Sequence, residues 1–412
     1  MMTSVRQPMA REARRRGASS TRFLTALVVA GLMAALVPIV TTPASAAEPL
    51  GCSSDFQIDE TLPSGARWQM CWELRALAGV VLHDVTYTPP GGEAVEVLGS
   101  MNLAQIHVPY QDNVARFHDV SDYGLGTYVN NLQPEDCPGG VRLTSGSTNV
   151  LCQQIADSGY AYKSYAQQAR QSTLSLFSVS AIGAYNYIIV WNFDEDGTIR
   201  PEIGATGKLQ RYGGGPGTGW NVGAEPRYAV AHEHNYYWRL DFDIAGSADD
   251  RVQELATRAS ADRQTFTTTR LGFMTEAARR VLPGSARSWR VRDRSVTNAD
   301  GHPISYELLP HTDNVFRGPA YEPFTQNEFY ATRFNDCEQF ASHNPTLNGT
   351  CGGDLSTFVN GGSLAGADAD VVVWYGTSFH HLPRDEDENH MDVHWSGFSI
   401  VPRDLTATYP IP

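Results

Sequence analysis

The chain has 412 residues, 42% of them hydrophobic and 18% charged, with a formal net charge of −14 at pH 7. That acidity argues against a nucleic-acid binder, because the surface would repel phosphate, and it favours cations, a protonated amine among them. Six cysteines, an even number with no CxxC pair, speak for disulfides and an exporting compartment rather than for a reduced interior.

In chain order, Arg6, Arg11, Arg14, Arg15, Arg16 and Arg22 precede an apolar run from Phe23 to about Val40, and Ala44-Ser45-Ala46 follows. This pattern predicts a signal peptide over residues 1–46, leaving residues 47–412 as one secreted domain with no later membrane span. The apolar run is also long enough for an uncleaved anchor, and the paired arginines leave a folded-export route open. Without residues 1–46 the formal charge becomes −19, from 25 basic and 44 acidic residues. Sequential closure of three local loops is the simplest cysteine pairing: Cys52 with Cys71, Cys137 with Cys152, and Cys337 with Cys351.

Short alternating segments recur at Trp68–Glu73, Gly79–Tyr87, Val95–Val108, Tyr185–Phe193, Arg227–Ile244, Ser288–Val291, Asp370–Tyr375 and Trp395–Val401. Helix-like spacing is confined to about Gln153–Gln171 and Arg270–Leu282. The expectation is a mostly β fold, a large antiparallel β-sandwich with few short helices.

Three stretches stand out. In Ser180–Gly197, a period of two places Tyr185, Tyr187, Ile189, Trp191 and Phe193 on one face, with Asp194-Glu195-Asp196-Gly197 as a turn into a partner strand, Thr198–Leu209. Both faces are largely apolar, which predicts a buried strand. In Ala229–Ile244, His232 and His234 share the apolar face with Tyr236, Trp238, Leu240 and Phe242, and Asp241 and Asp243 lie on the other face. Two buried imidazoles need partners, either backbone groups or a transition metal. A third stretch, Asp370–Arg384, runs as an apolar strand into His380-His381. Between them, Arg211–Glu225 is glycine-rich and reads as a loop or as the tip of an extended hairpin. Upstream, Ile106–Gly126 carries Tyr110 and Asp119; alone, Asp119 reads as a turn or cap residue.

The order VPY, D-x-x-D-YGLG, the tyrosine strand with its DEDGTIR turn, HEH with RLDFD, VVWY with HHLPR, and HWSGFSIVPRD resembles the catalytic domain of copper amine oxidases. The resemblance runs from Trp68 to Tyr409, and the small domains that usually precede this domain in the family have no counterpart in it. It implies oxidative deamination of a small primary amine by oxygen, giving an aldehyde, ammonia and hydrogen peroxide. It implies copper(II) held by His232, His234 and His381, with His380 the neighbour that is not a ligand. It implies topaquinone made from Tyr185, Asp119 as the catalytic base that removes the Cα proton, and Tyr110 hydrogen-bonded to the quinone oxygen. A second, calcium-type ion is implied at Asp241, Asp243, Asp370 and the carbonyls of Phe242 and Val371, all-oxygen ligation suiting a hard cation. The family also forms homodimers that exchange hairpin arms, for which Arg211–Glu225 is the segment expected here.

The cofactor strand departs from the family's, keeping only its two tyrosines. The family strand reads Thr-x-x-Asn-Tyr-Asp/Glu-Tyr, whereas Ala184 and Asn186 flank Tyr185 in this chain. The Tyr110–Asp119 spacing is also shorter. The alternative reading is therefore a metal-binding or structural homologue without the quinone; a three-histidine hydrolase would leave Tyr185 and the block order unexplained.

Overall fold

A computed structural model of the protein describes residues 51–212, 214–224, 227–311, 314–344 and 351–412. The expected signal peptide lies outside them. Seven strands position the site: β1 (Val95–Pro109), β2 (Arg116–His118), β3 (Gln168–Ile182), β4 (Tyr185–Asp194), β5 (Ile199–Gly207), β6 (His232–Phe242) and β7 (Val371–His381). Among the described residues they belong to two large antiparallel sheets. In one, β1, β6 and β7 are neighbours in that order and β2 pairs with the end of β1; in the other, β5, β4 and β3 are consecutive.

The two sheets pack face to face on aromatic side chains, as the alternation of β4 and β6 dictates. Trp191 of β4 meets Trp238 of β6 edge-on at 4.8 Å, Trp68 meets Phe193 at 5.0 Å, and Trp289 stacks on Phe329 at 4.1 Å. Removing one such ring would cost about 3–5 kcal/mol, more than any exposed ion pair contributes. The face of β4 bearing Tyr185 is fully buried, but Asn186, Ile188 and Asn192 on its other face are only half-buried. The sequence expectation of burial on both sides holds for one.

The three cysteine pairs close as the spacing suggested: Cys52–Cys71, Cys137–Cys152 and Cys337–Cys351. The two helix expectations fail. Residues 153–171 lie in a long hairpin made by Thr148–Lys163 and β3, and residues 270–282 hold the end of the strand Phe266–Gly272 and the short strand Ala277–Arg279. Irregular pairing at Asp157/Gly159 and Tyr160/Tyr162 resets the strand alternation in the first case. In the second, Phe266–Gly272 is exposed along its whole length, so no face selects a period. Arg211–Glu225 is not an extended hairpin either: among its described residues it is a looped segment with only Trp220–Asn221 in a ladder, paired with Tyr228–Ala229. Two long hairpins lie elsewhere, at 148–182 and 250–272.

Candidate active site

Tyr185 is the first residue of β4, directly after a two-residue turn that joins it to β3, with Ile182 opposite Tyr185. Gly183 at the turn has φ +60, a conformation disfavoured for residues with a side chain. The turn fixes the Tyr185 ring at the end of the sandwich, where the first sheet brings a row of three side chains. Tyr110, just past β1, bridges to His232 of β6, and His232 stands opposite His381 of β7. The row is a consequence of register. Tyr110 stacks on the His232 ring at 4.5 Å, and the His232 and His381 rings are 4.7 Å apart.

The Tyr185 hydroxyl lies 2.6 Å from Nε2 of His232 and 3.4 Å from Nδ1 of His381, and those two nitrogens are 3.2 Å apart. His234, two residues along β6, packs edge-on against Tyr185 at 4.7 Å. Each imidazole has its other nitrogen engaged. His232 Nδ1 faces the Val230 carbonyl at 3.5 Å, His234 Nδ1 meets the Tyr187 hydroxyl at 3.1 Å, and His381 Nε2 meets the Asp387 carboxylate at 2.9 Å. Such partners fix the tautomer and leave one lone pair per ring. For His234 that lone pair belongs to Nε2, which is completely buried with no hydrogen-bond partner. Burial pushes the His232 imidazole down to about 3, His234 well below its ordinary range and His381 below it, so all three are neutral near pH 7. Nε2 of His232 and Nδ1 of His381 meet at one buried spot beside the Tyr185 hydroxyl, and the orphaned Nε2 of His234 belongs to a ring packed against the same tyrosine; neutral imidazole nitrogens of this kind suit a transition metal. His380 points the other way, to Glu233.

Asp119 opens a single helical turn (Asp119–Asp122) after β2. The buried Gln105 of β1 holds that turn by accepting from the Val120 amide and donating to Ser121. Asp119 Oδ2 accepts from the Tyr187 hydroxyl at 2.7 Å. Burial lifts its carboxyl to about 7, against the opposing pull of that hydrogen bond. Tyr110 and Phe117, Tyr185 and Tyr187, and Asp119 all line one cavity of about 110 Å³. A base poised near neutrality thus faces the tyrosine that faces the imidazoles.

On the opposite face of β6, carboxylate oxygens of Asp241, Asp243 and Asp370 lie within 4.8 Å of one another. Phe242 stands opposite Val371 in the β6–β7 register, so their carbonyls belong to the same neighbourhood. The Oδ1 atoms of all three aspartates are buried without a partner. Burial, and then mutual repulsion, push Asp243 up to about 8 and Asp370 to about 7. Gly99 makes room, since a side chain there would collide with Asp243. The donor set fits a hard cation.

Sequence reading missed Asp387, which holds His381 from a stretch of acidic residues that looked solvated, and the central position of Tyr187. It also missed a second imidazole group. His107 stacks on His118 at 5.2 Å, and Glu322 faces both at 3.3 Å and 3.5 Å while pairing with Arg116. Burial alone would raise Glu322, but hydrogen bonds from His107 and His118, and then the charge of Arg116 among others, outweigh it and hold it near 2. The group ties β1 to β2 immediately before Asp119.

The family profile described as "Copper amine oxidase, enzyme domain" matches residues 57–411. The chain is 24% identical over 403 residues to a primary amine oxidase of Arthrobacter sp. (strain P1), covering 87% of this chain and 61% of that protein. It is 26% identical over 411 residues to the histamine oxidase of Arthrobacter globiformis, covering 87% and 58%. Among solved structures, a copper-containing benzylamine oxidase from Hansenula polymorpha superposes with a TM-score of 0.72 at 21% identity, over 85% of this chain and 62% of that one. An Aspergillus nidulans amine oxidase gives 0.70 at 22%, over 84% and 52%. The chain thus spans between half and two thirds of the length of these relatives. With the profile matched along nearly all the described residues, the protein belongs to the copper amine oxidase family.

Proposed function

We propose that the protein is a secreted primary-amine oxidase that uses copper(II) at His232, His234 and His381 and a topaquinone formed from Tyr185. The observation that carries this is the placement of the Tyr185 hydroxyl against His232 Nε2 and His381 Nδ1, at the wall of a cavity that also holds Asp119. When bound, copper and oxygen supply the oxidation of that ring to a quinone, and the quinone supplies the carbonyl that takes the amine and the electron sink that returns two electrons to oxygen. The chain's own groups do the rest. The aromatic cavity strips water from the amine, Asp119 takes the Cα proton, and burial keeps that carboxyl basic enough to hold it. Tyr187 fixes the carboxylate by donating to Oδ2, and Tyr110, stacked on His232, keeps its phenol beside Tyr185; burial and that neighbour hold it protonated.

The second cluster, Asp241, Asp243 and Asp370 with the Phe242 and Val371 carbonyls, is assigned to a structural calcium-type ion. The family's two-fold dimer is assigned to this chain by resemblance, with the long hairpins 148–182 and 250–272 as arms in place of the glycine-rich segment.

The test is to express residues 47–412 without metal, add copper(II) in air, and follow the visible spectrum before and after methylhydrazine, with Tyr185→Phe as control. A band that shifts with the hydrazine and is absent from the control establishes the quinone. A folded, copper-binding protein that stays silent to the reagent sinks the oxidase and leaves a metal-binding homologue, the reading that Ala184 and Asn186 favour.

A further inference from the structure

The cavity beside Tyr185 and Asp119 has a roof that the family motifs do not describe. Tyr212 comes from the glycine-rich segment after β5, where Gly214 takes φ +89. Its ring packs edge-on against Tyr110 at 4.8 Å and leans on Phe117 at 5.7 Å. Phe117 in turn meets Tyr123, which is 41% exposed at the mouth. Together with Val108 and Ile182 these rings line a pocket of about 110 Å³ that opens to solvent at its mouth. Engineered protein cavities that take benzene measure about 150 Å³, so the space these residues line is short of one aromatic ring. Among the described residues that line it, Asp119 is the only carboxylate, and there is no Lys, Arg or His.

From this geometry we infer that the amine accepted is a short, apolar monoamine, and that Tyr212 is the residue that sets the size limit. The inference rests on the amine-oxidase reading for the identity of the reacting group, and on the cavity alone for its size. A two- to three-carbon tail fits under Tyr212. A phenyl ring does not fit until Tyr212 leaves. A diamine fails for a different reason, since its second ammonium would be buried with no counter-charge. One methylene in an apolar pocket is worth about 10- to 200-fold in discrimination, so the contrast is within easy reach of measurement.

The experiment compares kcat/KM for ethylamine, benzylamine and putrescine on the copper-loaded wild type, Tyr212→Ala and Tyr212→Phe. Reaction rates with methylhydrazine and phenylhydrazine, followed optically, give a readout that needs no turnover. On the metal-free chains, saturation-transfer NMR reads the binding of ethylammonium and benzylammonium. The expected result is a preference of at least about tenfold for ethylamine over both other amines. Tyr212→Ala should shrink the benzylamine contrast about tenfold, with the same shift in the hydrazine rates, and Tyr212→Phe, which keeps the ring, should retain it. Equal handling of ethylamine and either larger amine by the wild type, or an unchanged benzylamine contrast in Tyr212→Ala, overturns the proposal. Silence toward both hydrazines sinks the amine-oxidase reading instead. In that case the metal-free chains still decide the size limit: benzylammonium binding equally to wild type and Tyr212→Ala removes it.

Discussion

Tyr187 donates its hydroxyl hydrogen to Asp119, at 2.7 Å. A phenol has one hydrogen to give, so the contact of the same oxygen with His234 Nδ1 at 3.1 Å must have the imidazole as donor. One side chain therefore fixes the candidate base and the tautomer of a candidate copper ligand. Tyr187→Phe removes both effects at the cost of one oxygen. A hydrogen bond to a carboxylate is worth about 1.5–3 kcal/mol, so the Asp119 carboxyl should rise by about 1–2 pH units. Copper affinity should fall about 10- to 100-fold, the usual consequence of losing a ligand's supporting partner. A pH profile and a competitive copper titration measure the two; if neither moves, Tyr187 is only core.

The Asp119 carboxyl, lifted to about 7 by burial, must be deprotonated to accept a proton. The value of kcat/KM should therefore rise with pH through about 7 and level off above it. Asp119→Asn should lose about 100- to 10,000-fold in amine turnover and abolish that limb. It should leave the copper-dependent colour intact, because Asp119 touches none of the three imidazoles. A rising limb near 4 would show the carboxyl to be wetter than its burial implies.

Removing one imidazole separates fold from cofactor. His234 Nε2 is buried without a partner, so His234→Ala loses no hydrogen bond on that side, only the contact of Nδ1 with the Tyr187 hydroxyl. The variant should fold and remain colourless in copper and air. Asp387→Asn should weaken copper by the smaller factor of about 10–100, since Asp387 acts through His381 Nε2. Equal loss in both variants would mean that the site collapses as a unit.

The cluster of Asp241, Asp243 and Asp370 makes a prediction about stability. Folded-state values of about 8 for Asp243 and 7 for Asp370 lie above those of an unfolded chain, near 4. The folded protein therefore holds these protons more tightly, and without a cation its stability should fall as pH rises from about 4 to 8. Calcium at a hundred times its dissociation constant would add about 2.7 kcal/mol and flatten the fall. Thermal melts with calcium or a chelator at pH 5 and pH 8 test this, and Asp243→Asn should reduce the dependence. A melting temperature indifferent to calcium at pH 8 would leave the cluster as plain buried acids.

What the sequence showed followed from period and register. The alternation of β4 and β6 named the inner faces, and with them Tyr185, His232 and His234, because a one-residue slip would have moved the whole set to the wrong face. The apolar strand Asp370–Arg384 brought the pair His380-His381 into view, but the choice of His381 came from the family resemblance and not from period. What failed had no periodic signature. Asp387 reaches His381 from a turn in which its neighbours Asp385 and Glu386 are exposed, so nothing local distinguishes it. Tyr212 sits in a glycine-rich loop and acquires a role only by packing on Tyr110. The long hairpin 148–182 looked helical because its irregular pairing erases the two-residue rhythm that marks a strand.

Ala184 offers the most direct test of how far this chain has moved from its family. It is half-buried in the turn before Tyr185, lines the cavity, and its carbonyl accepts from the Lys208 amide at 2.9 Å. The asparagine that the family carries there has no counterpart in this chain to hold the ring derived from Tyr185. A looser ring should show a broader visible band and slower capture of a hydrazine. Ala184→Asn would place an amide at that wall without disturbing the turn, because Gly183, not Ala184, carries the positive φ. The cost in stability should be about 1 kcal/mol or less at a half-buried turn position. The band should narrow and methylhydrazine capture should quicken several-fold. An unchanged band and rate would mean that Tyr110 and Tyr187 already hold the ring, and that the loss of the asparagine in this chain has no functional consequence.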